Sequence, residues 1–224
     1  MYGGKGGRKG KNVSLYKRGM SVSKLSVSKE RGMCSANLLL HGRASAAHAC
    51  TFAEVMKACF DHIKDLVFRY RLRLAMERAE EAGSCFLEKE HKRRFYEGLD
   101  RAKRKDNDFA AQIYLLAARE TLWKRAARCM YTGGICYAGV DMRDAAPEEK
   151  ALFYAAMDIE FLGGLSCIES LSDEETVDFD VFRAVCCAVC ICKYGTDATV
   201  IAERRCRRDR GEKGKDGRKK RISG

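Results

Sequence analysis

A single proline, Pro147, occurs in the 224 residues of the chain. Proline interrupts helix interiors and sheet ladders alike, so its scarcity favours long regular elements. Strand-like alternation of Val, Ile and Thr is scarce, whereas apolar residues recur at steps of three and four, the spacing of one helix face. The sequence therefore predicts an all-α fold, with a single compact helical domain of about five to six helices.

Positive charge lies almost entirely at the two ends of the chain. Residues 1–33 carry nine Lys and Arg against one acid, a balance of +8, and residues 203–224 carry eleven against four, a balance of +7. Since the whole chain has a formal charge of +12, residues 34–202 carry −3. The ends have too little apolar surface to offset the entropy of ordering. We expect disordered basic arms at 1–33 and 203–224 around a helical domain at 34–202.

Capping signals divide the domain into helices. Thr51 and Glu54 form a capping-box pattern and Gly83 is a typical helix stop, which together predict one long first helix over about 51–82. Its predicted apolar stripe comprises Phe52, Met56, Cys59, Ile63, Leu66, Tyr70 and Leu74. Further helices are predicted over 86–104, from Asn107 or Asp108 to Met130, from Pro147 to Leu162, near 165–171, and from Asp178 or Asp180 to Gly195. Residues 135–143 are predicted to form a loop or short hairpin.

A set of short segments within residues 85–195 carries a family resemblance. The segments are Phe86–Tyr96, Asp108–Ala117, Leu122–Arg125, Glu148–Phe153, Ala156–Gly163, Asp173–Glu175 and Phe182–Gly195. Together they resemble an uncharacterised family of small helical proteins from phages and mobile elements of Gram-positive bacteria. The resemblance implies a setting, mobile-element biology, and assigns no activity, cofactor or catalytic residue. Gly163-Gly164 stands where the family usually has Asn-Gly, and the last helix is unusually rich in Cys.

The basic arms are the candidate nucleic-acid-binding segments. Each phosphate neutralised by Lys or Arg releases condensed counterions, so clustered cations give salt-sensitive binding that is not sequence-specific. Tyr2 and Tyr16 are the only aromatic residues in the arms, which argues against reading of bases by stacking. A solvated tail and attraction to an anionic membrane are the alternatives. The predicted contact residues are Lys9, Lys11, Lys17, Arg18, Arg204, Arg205, Arg207, Arg208, Arg210, Lys219, Lys220 and Arg221.

The cysteine cluster Cys186–Cys192 contains one C-x2-C pair, Cys187 and Cys190. A structural zinc site needs four thiolate or imidazole ligands, and neither a second such pair nor a paired histidine motif is present. Buried thiols behave as small apolar side chains. We therefore expect packing thiols, with zinc and redox roles as alternatives, and no cofactor.

Other candidate sites are weaker. His62 and His91 lie among charged neighbours, where a histidine is usually solvated at the surface. The Gly-rich stretch from Gly3 to Lys11 does not match a phosphate-binding loop, because its spacing is wrong and no strand precedes it. The acids from Asp173 to Glu175 are typical of a helix start. No paired catalytic constellation is visible, so we expect no enzyme.

These observations favour a non-enzymatic accessory protein of a phage or mobile element. The helical body would bind a protein partner or itself, and the arms would bind DNA or RNA. The alternative is a protein–protein inhibitor or adaptor that acts against a host defence complex. No apolar run reaches the roughly 20 residues that span a bilayer, and no credible signal peptide begins the chain. We expect a cytoplasmic protein with reduced thiols; an organelle transit peptide is the alternative for the basic N-terminal segment.

Overall fold

The structure, a computed structural model, describes residues 51–161 and 168–200. This part of the chain contains eight α-helices, one short antiparallel hairpin and one 3-10 turn, so the all-α prediction is confirmed with more helices than expected. The elements are α1 (Phe52–Phe60), α2 (Leu66–Ala82), α3 (Lys89–Arg101), α4 (Asn107–Ala117), α5 (Glu120–Ala127), β1 (Met130–Tyr131), β2 (Gly134–Ile135), the 3-10 turn Tyr137–Gly139, α6 (Pro147–Phe161), α7 (Ile168–Ser172) and α8 (Phe179–Tyr194). Both predicted arms and Leu162, the predicted end of the helix that starts at Pro147, lie outside the described residues.

Helix α4 is the centre of the fold. Every residue from Phe109 to Ala118 is buried, as expected for a helix that is apolar on nearly all sides. Helices α3, α5, α6 and α8 pack around it, and α1 and α2 pack against α8. Helix α8 is also buried along most of its length, so these two helices form the inner layer.

The predicted long first helix is wrong, because the structure contains two helices there. Helix α1 ends at Phe60, and Asp65 starts α2 by accepting a hydrogen bond from the backbone N–H of Phe68 at 2.7 Å. This side-chain cap competes with a continuous helix. Because of this break, the buried face of α2 includes Phe68, Leu72, Ala75 and Ala79. Leu66 and Tyr70, which belong to the predicted stripe, are exposed.

A second predicted helix, from 107 to Met130, is also divided. Helix α4 ends at Ala117, Arg119 is extended, and α5 ends at Ala127. Met130, the predicted end of this helix, instead lies in the hairpin, which pairs Met130 with Ile135 and Tyr131 with Gly134. The hairpin therefore begins earlier than the predicted 135–143.

Several predicted helix ends are confirmed. The capping box is complete, since Glu54 N–H donates to Thr51 Oγ1 and Thr51 N–H donates to Glu54 Oε2. Gly83 ends α2 with φ of 59°, a left-handed conformation that favours glycine. Pro147 opens α6 and Asp178 caps α8. The cap of α4 is Asp106, one residue before the predicted pair.

Candidate interaction site

An open groove of about 470 Å³ lies between the end of α1 and the first half of α2, and we call it the α1–α2 groove. Its apolar lining includes Phe60, Leu66, Tyr70, Leu72 and Met76. Leu66 is 78% exposed and Tyr70 is 51% exposed. Neighbouring exposed apolar side chains that form one patch are typical of an interaction site.

The rim of the α1–α2 groove is mainly positive. Lys57, Arg69 and Arg73 line it together with one acid, Asp61. The Arg73 guanidinium lies 5.3 Å from the centroid of the Tyr70 ring, and its Nε lies 3.8 Å from a Glu77 carboxylate oxygen. An apolar lining with a cationic rim complements a segment that is both apolar and acidic.

Arg71 fixes the orientation of α2 and therefore of the groove. Its side chain is buried, and its two Nη atoms donate to the carbonyl oxygens of Leu171 and Val177, each at 2.7 Å. The guanidinium also lies 4.6 Å from the centroid of the Phe182 ring. Burial lowers the Arg71 pKa, while Glu174 opposes that shift. These contacts join α2 to the segment between α7 and α8.

His91 and Arg94 hold the C-terminal end of α4. The last carbonyl groups of a helix have no partner within the helix. His91 Nε2 bonds the carbonyl of Tyr114 at 2.8 Å, and Arg94 Nε donates to the carbonyl of Ala117 at 2.8 Å. Because these side chains replace a further helical turn, they give a physical reason for the division of the predicted 107–130 helix.

The expectation that His91 is solvated at the surface is wrong. The ring is 0% exposed, and its Nδ1 accepts the backbone N–H of Leu87 at 3.2 Å, so the proton lies on Nε2. Desolvation lowers the His91 pKa to about 3, and the charge of Arg94 contributes further. A neutral imidazole with both nitrogens engaged has a packing role. His62, in contrast, is exposed between α1 and α2.

A second polar cluster joins α4, α6 and the 3-10 turn. Arg104 Nη1 donates to Glu160 Oε2 at 2.8 Å, and Gln112 Nε2 donates to the same oxygen at 2.7 Å. The Tyr137 hydroxyl donates to Gln112 Oε1 at 2.9 Å. Burial and the nearby Glu160 carboxylate raise the Tyr137 pKa. Because these bonds connect side chains of different elements, this cluster positions helices.

The predicted packing role of the cysteine cluster agrees with the structure. Cys186, Cys187, Cys190 and Cys192 are buried on α8, and Cys59 of α1 is buried beside them. Desolvation raises the pKa of Cys186, Cys187 and Cys190, which disfavours the thiolate that metals bind. Across residues 51–161 and 168–200, no group of three or more Cys, His, Asp or Glu is arranged to hold a metal ion.

The acids at Asp173–Glu175 form a turn ahead of α8. Asp173 accepts hydrogen bonds from the Glu175 N–H at 3.0 Å and from the Thr176 hydroxyl at 2.5 Å. These bonds lower the Asp173 pKa, the Thr176 bond most of all. The helix itself begins later, at the Asp178 cap.

All twelve predicted nucleic-acid-binding residues lie in the arms, outside the described residues. The sequence did not predict the α1–α2 groove, because Leu66 and Tyr70 match the buried apolar stripe of one long helix. The available signal was Asp65, an N-cap residue inside that stretch. In the part of the chain that the structure describes, no helix is both long and apolar enough to cross a bilayer.

Comparison of the chain with protein-family models, with curated proteins and with solved structures finds no match. The resemblance to a phage and mobile-element family therefore stays a prediction.

Proposed function

We propose that the chain is a non-enzymatic accessory protein of a phage or mobile element, with basic arms that bind nucleic acid and a helical body that binds a protein partner. The observation that carries this proposal is the charge partition, +8 and +7 at the ends against −3 between them. A phosphate backbone is attracted to the ends and not to the body as a whole.

The buried polar groups of the body have structural roles. His91, Arg94 and Arg71 each bond backbone carbonyls, and Glu149 accepts the N–H of Ala146 at the start of α6. Acid–base catalysis requires a titratable group that reaches the reacting atoms. These groups are instead occupied in holding helix ends and connecting segments.

Neutralising the C-terminal basic cluster is expected to weaken nucleic-acid binding at least tenfold. In the full chain, Arg204, Arg205, Arg207, Arg208 and Arg210 are replaced by Gln. Each lost phosphate contact lowers the salt dependence of log K by about 0.9 on duplex DNA, so the slope should become shallower. Fluorescence anisotropy with duplex and single-stranded probes between 50 and 200 mM salt, a range suited to this dependence, measures both quantities.

The matched control removes the same charge from the body. Lys64, Arg78, Lys89, Lys103 and Arg128 are all exposed, and replacing these five with Gln gives an equal change in net charge. We expect this variant to retain affinity within about threefold of the unmodified chain. An equal loss in the two variants would contradict the assignment of binding to the arms.

The protein-partner half of the proposal rests on the α1–α2 groove. Leu66, Leu72 and Met76 of the groove lining have no aromatic ring, and such side chains do not stack on bases as aromatic rings do. They do bury well against the apolar face of a peptide helix, and Lys57, Arg69 and Arg73 at the rim favour acidic flanking residues. We therefore assign the groove to an acidic amphipathic segment of a partner protein. The inhibitor or adaptor alternative uses this same surface.

Replacing Leu66 and Tyr70 together with Ser should abolish capture of the protein partner while leaving the fold intact, because both side chains are exposed. The measurement is capture by the tagged full chain in cells that carry the element, with nuclease treatment and quantitative mass spectrometry. Tyr131→Ser is the control, since Tyr131 is similarly exposed, at 58%, on the hairpin.

Partners that survive nuclease and bind the double variant equally well would exclude the groove. Loss of every partner on nuclease treatment would leave the arms as the sole binding elements. In that case the proposed protein-binding role of the body is wrong.

A further inference from the structure

Cys129 and Cys136 face each other across the hairpin. The register pairs Met130 with Ile135, so the next pair along the ladder is Cys129 with Cys136. The Cys136 N–H donates to the Cys129 carbonyl at 2.9 Å, as expected for that pair. Residues directly opposite in an antiparallel ladder have Cα atoms about 4.5–5.5 Å apart, within the 4.4–6.8 Å that a disulfide requires.

The two sulfur atoms point to the same side of the hairpin. A Cβ atom placed on Gly139 would lie 3.3 Å from Cys129 Sγ and 3.7 Å from Cys136 Sγ. Gly139 closes the 3-10 turn that folds back over the pair, and its N–H bonds the Cys136 carbonyl at 3.0 Å. Both thiols therefore converge on the space beside one glycine that has no side chain.

Solvent access distinguishes this pair from the other thiols that the structure describes. Cys136 is exposed and Cys129 is half-buried, whereas Cys59, Cys85 and the four cysteines of α8 are buried. A thiol that reacts with a solute needs exposure, because the attacking thiolate must reach the incoming sulfur. Cys136 meets this requirement, and Cys129 lies close enough to react with the modified Cys136 in a second step.

We propose that Cys129 and Cys136 form a redox-reactive dithiol that closes an intramolecular disulfide by exchange with a low-molecular-mass disulfide. The Cys136 thiolate attacks one sulfur of that disulfide and expels the first low-molecular-mass thiolate. The Cys129 thiolate then attacks Cys136 Sγ in the mixed disulfide and expels the second. The protein dithiol loses two electrons and two protons, and the small disulfide is reduced to two thiols.

The disulfide would join the two strands of the hairpin covalently and hold the hairpin closed. The hairpin turn is held by one backbone bond, from the Lys103 N–H to the Thr132 carbonyl at 3.2 Å, beside the α3–α4 connection. Closing a short loop in the unfolded chain removes conformational entropy from it. We expect the oxidised protein to have a Tm higher by roughly 5 °C.

The test uses oxidised glutathione and the full chain, in a background with Cys34, Cys50, Cys167 and Cys206 replaced by Ser. Trypsin cleaves after Arg128 and Arg143, so both cysteines remain in one peptide. After alkylation under non-reducing conditions, we expect that peptide to be two hydrogens lighter than the dithiol form and to carry no alkyl group. Thermal melts before and after oxidation measure the Tm shift.

Single variants separate the two steps. In Cys129→Ser, the glutathione mixed disulfide should accumulate on Cys136, because the second thiol is absent. In Cys136→Ser, modification of Cys129 should be several-fold slower. A stable mixed disulfide on Cys136 in the parent background, or a bond that joins either residue to a buried cysteine, would overturn the proposal.

Discussion

Lowering the pH from 7 to 5 is expected to reduce the free energy of unfolding by about 2 kcal/mol through His91 alone. The His91 pKa is about 3 in the folded protein, against 6.5 for an ordinary histidine. Each pH unit between these two values costs about 1.4 kcal/mol, because the unfolded chain binds a proton that the folded chain excludes. Above pH 6.5 both states are neutral and the contribution is complete.

The structural cause is that Nδ1, the one ring nitrogen without a proton, cannot be protonated without losing its hydrogen bond. Nδ1 already accepts the N–H of Leu87, and Nε2 bonds the carbonyl of Tyr114. The ring also packs against Phe86 and Tyr114, with centroids at 5.2 and 4.5 Å, and the positive charge of Arg94 opposes a second cation nearby. Protonation therefore requires the α3–α4 junction to open.

Urea unfolding of His91→Gln at pH 7 and pH 5 measures this contribution. Gln can donate and accept hydrogen bonds but does not titrate, so the variant should lose about 2 kcal/mol less than the parent between these pH values. His62→Gln is the matched control, since His62 is exposed, and it should retain the parent pH dependence. Parallel profiles for His91→Gln and the parent would show that the imidazole is not held neutral.

The burial of His91 could not be predicted from the sequence, whereas several helix ends could. Helix caps depend on residues three or four positions apart, so Thr51, Gly83, Pro147 and Asp178 could be recognised locally. The burial of His91 depends on contact between α3 and α4, and its bond partner Tyr114 lies 23 residues away. Its charged sequence neighbours gave the opposite indication. No local pattern encodes such a contact.

The α1–α2 groove was only partly predictable, for a similar reason. The apolar residues of α1 and α2 keep helical spacing through the break, so periodicity alone predicts one continuous helix. Asp65 can be recognised in the sequence as a possible helix cap. Its position as a cap also depends on a tertiary contact, because the hydroxyl of Ser172 in the distant α7 donates to Asp65 Oδ1 at 3.2 Å. That hydrogen bond fixes the start of α2 in the orientation in which the side chains of Leu66 and Tyr70 are exposed.

Introducing a side chain at Gly98 is expected to destabilise the body, although glycine is unfavourable within a helix. A Cβ atom at Gly98 of α3 would lie 2.6 Å from Trp123 Cη2 and 2.7 Å from Ile113 Cγ2, closer than real contacts allow. Alanine gains about 1 kcal/mol of helix propensity, but overpacking costs about 1–3 kcal/mol. We expect a net loss of about 1 kcal/mol for Gly98→Ala and about 3 kcal/mol for Gly98→Leu, measured by urea unfolding.

The physical reason is that Gly98 sets the distance between α3 and the pair α4 and α5. Gly133→Ala is the matched control, because its new methyl group would approach only the exposed Tyr131 ring, at 3.0 Å, and should change stability little. The double variant Gly98→Ala with Ile113→Ala supplies the decisive comparison. Removing Cγ2 opens space for the new methyl group, so the double variant should be more stable than the sum of the single losses by about 1 kcal/mol. Additive losses would mean that the close approach at Gly98 is not what the substitution disturbs.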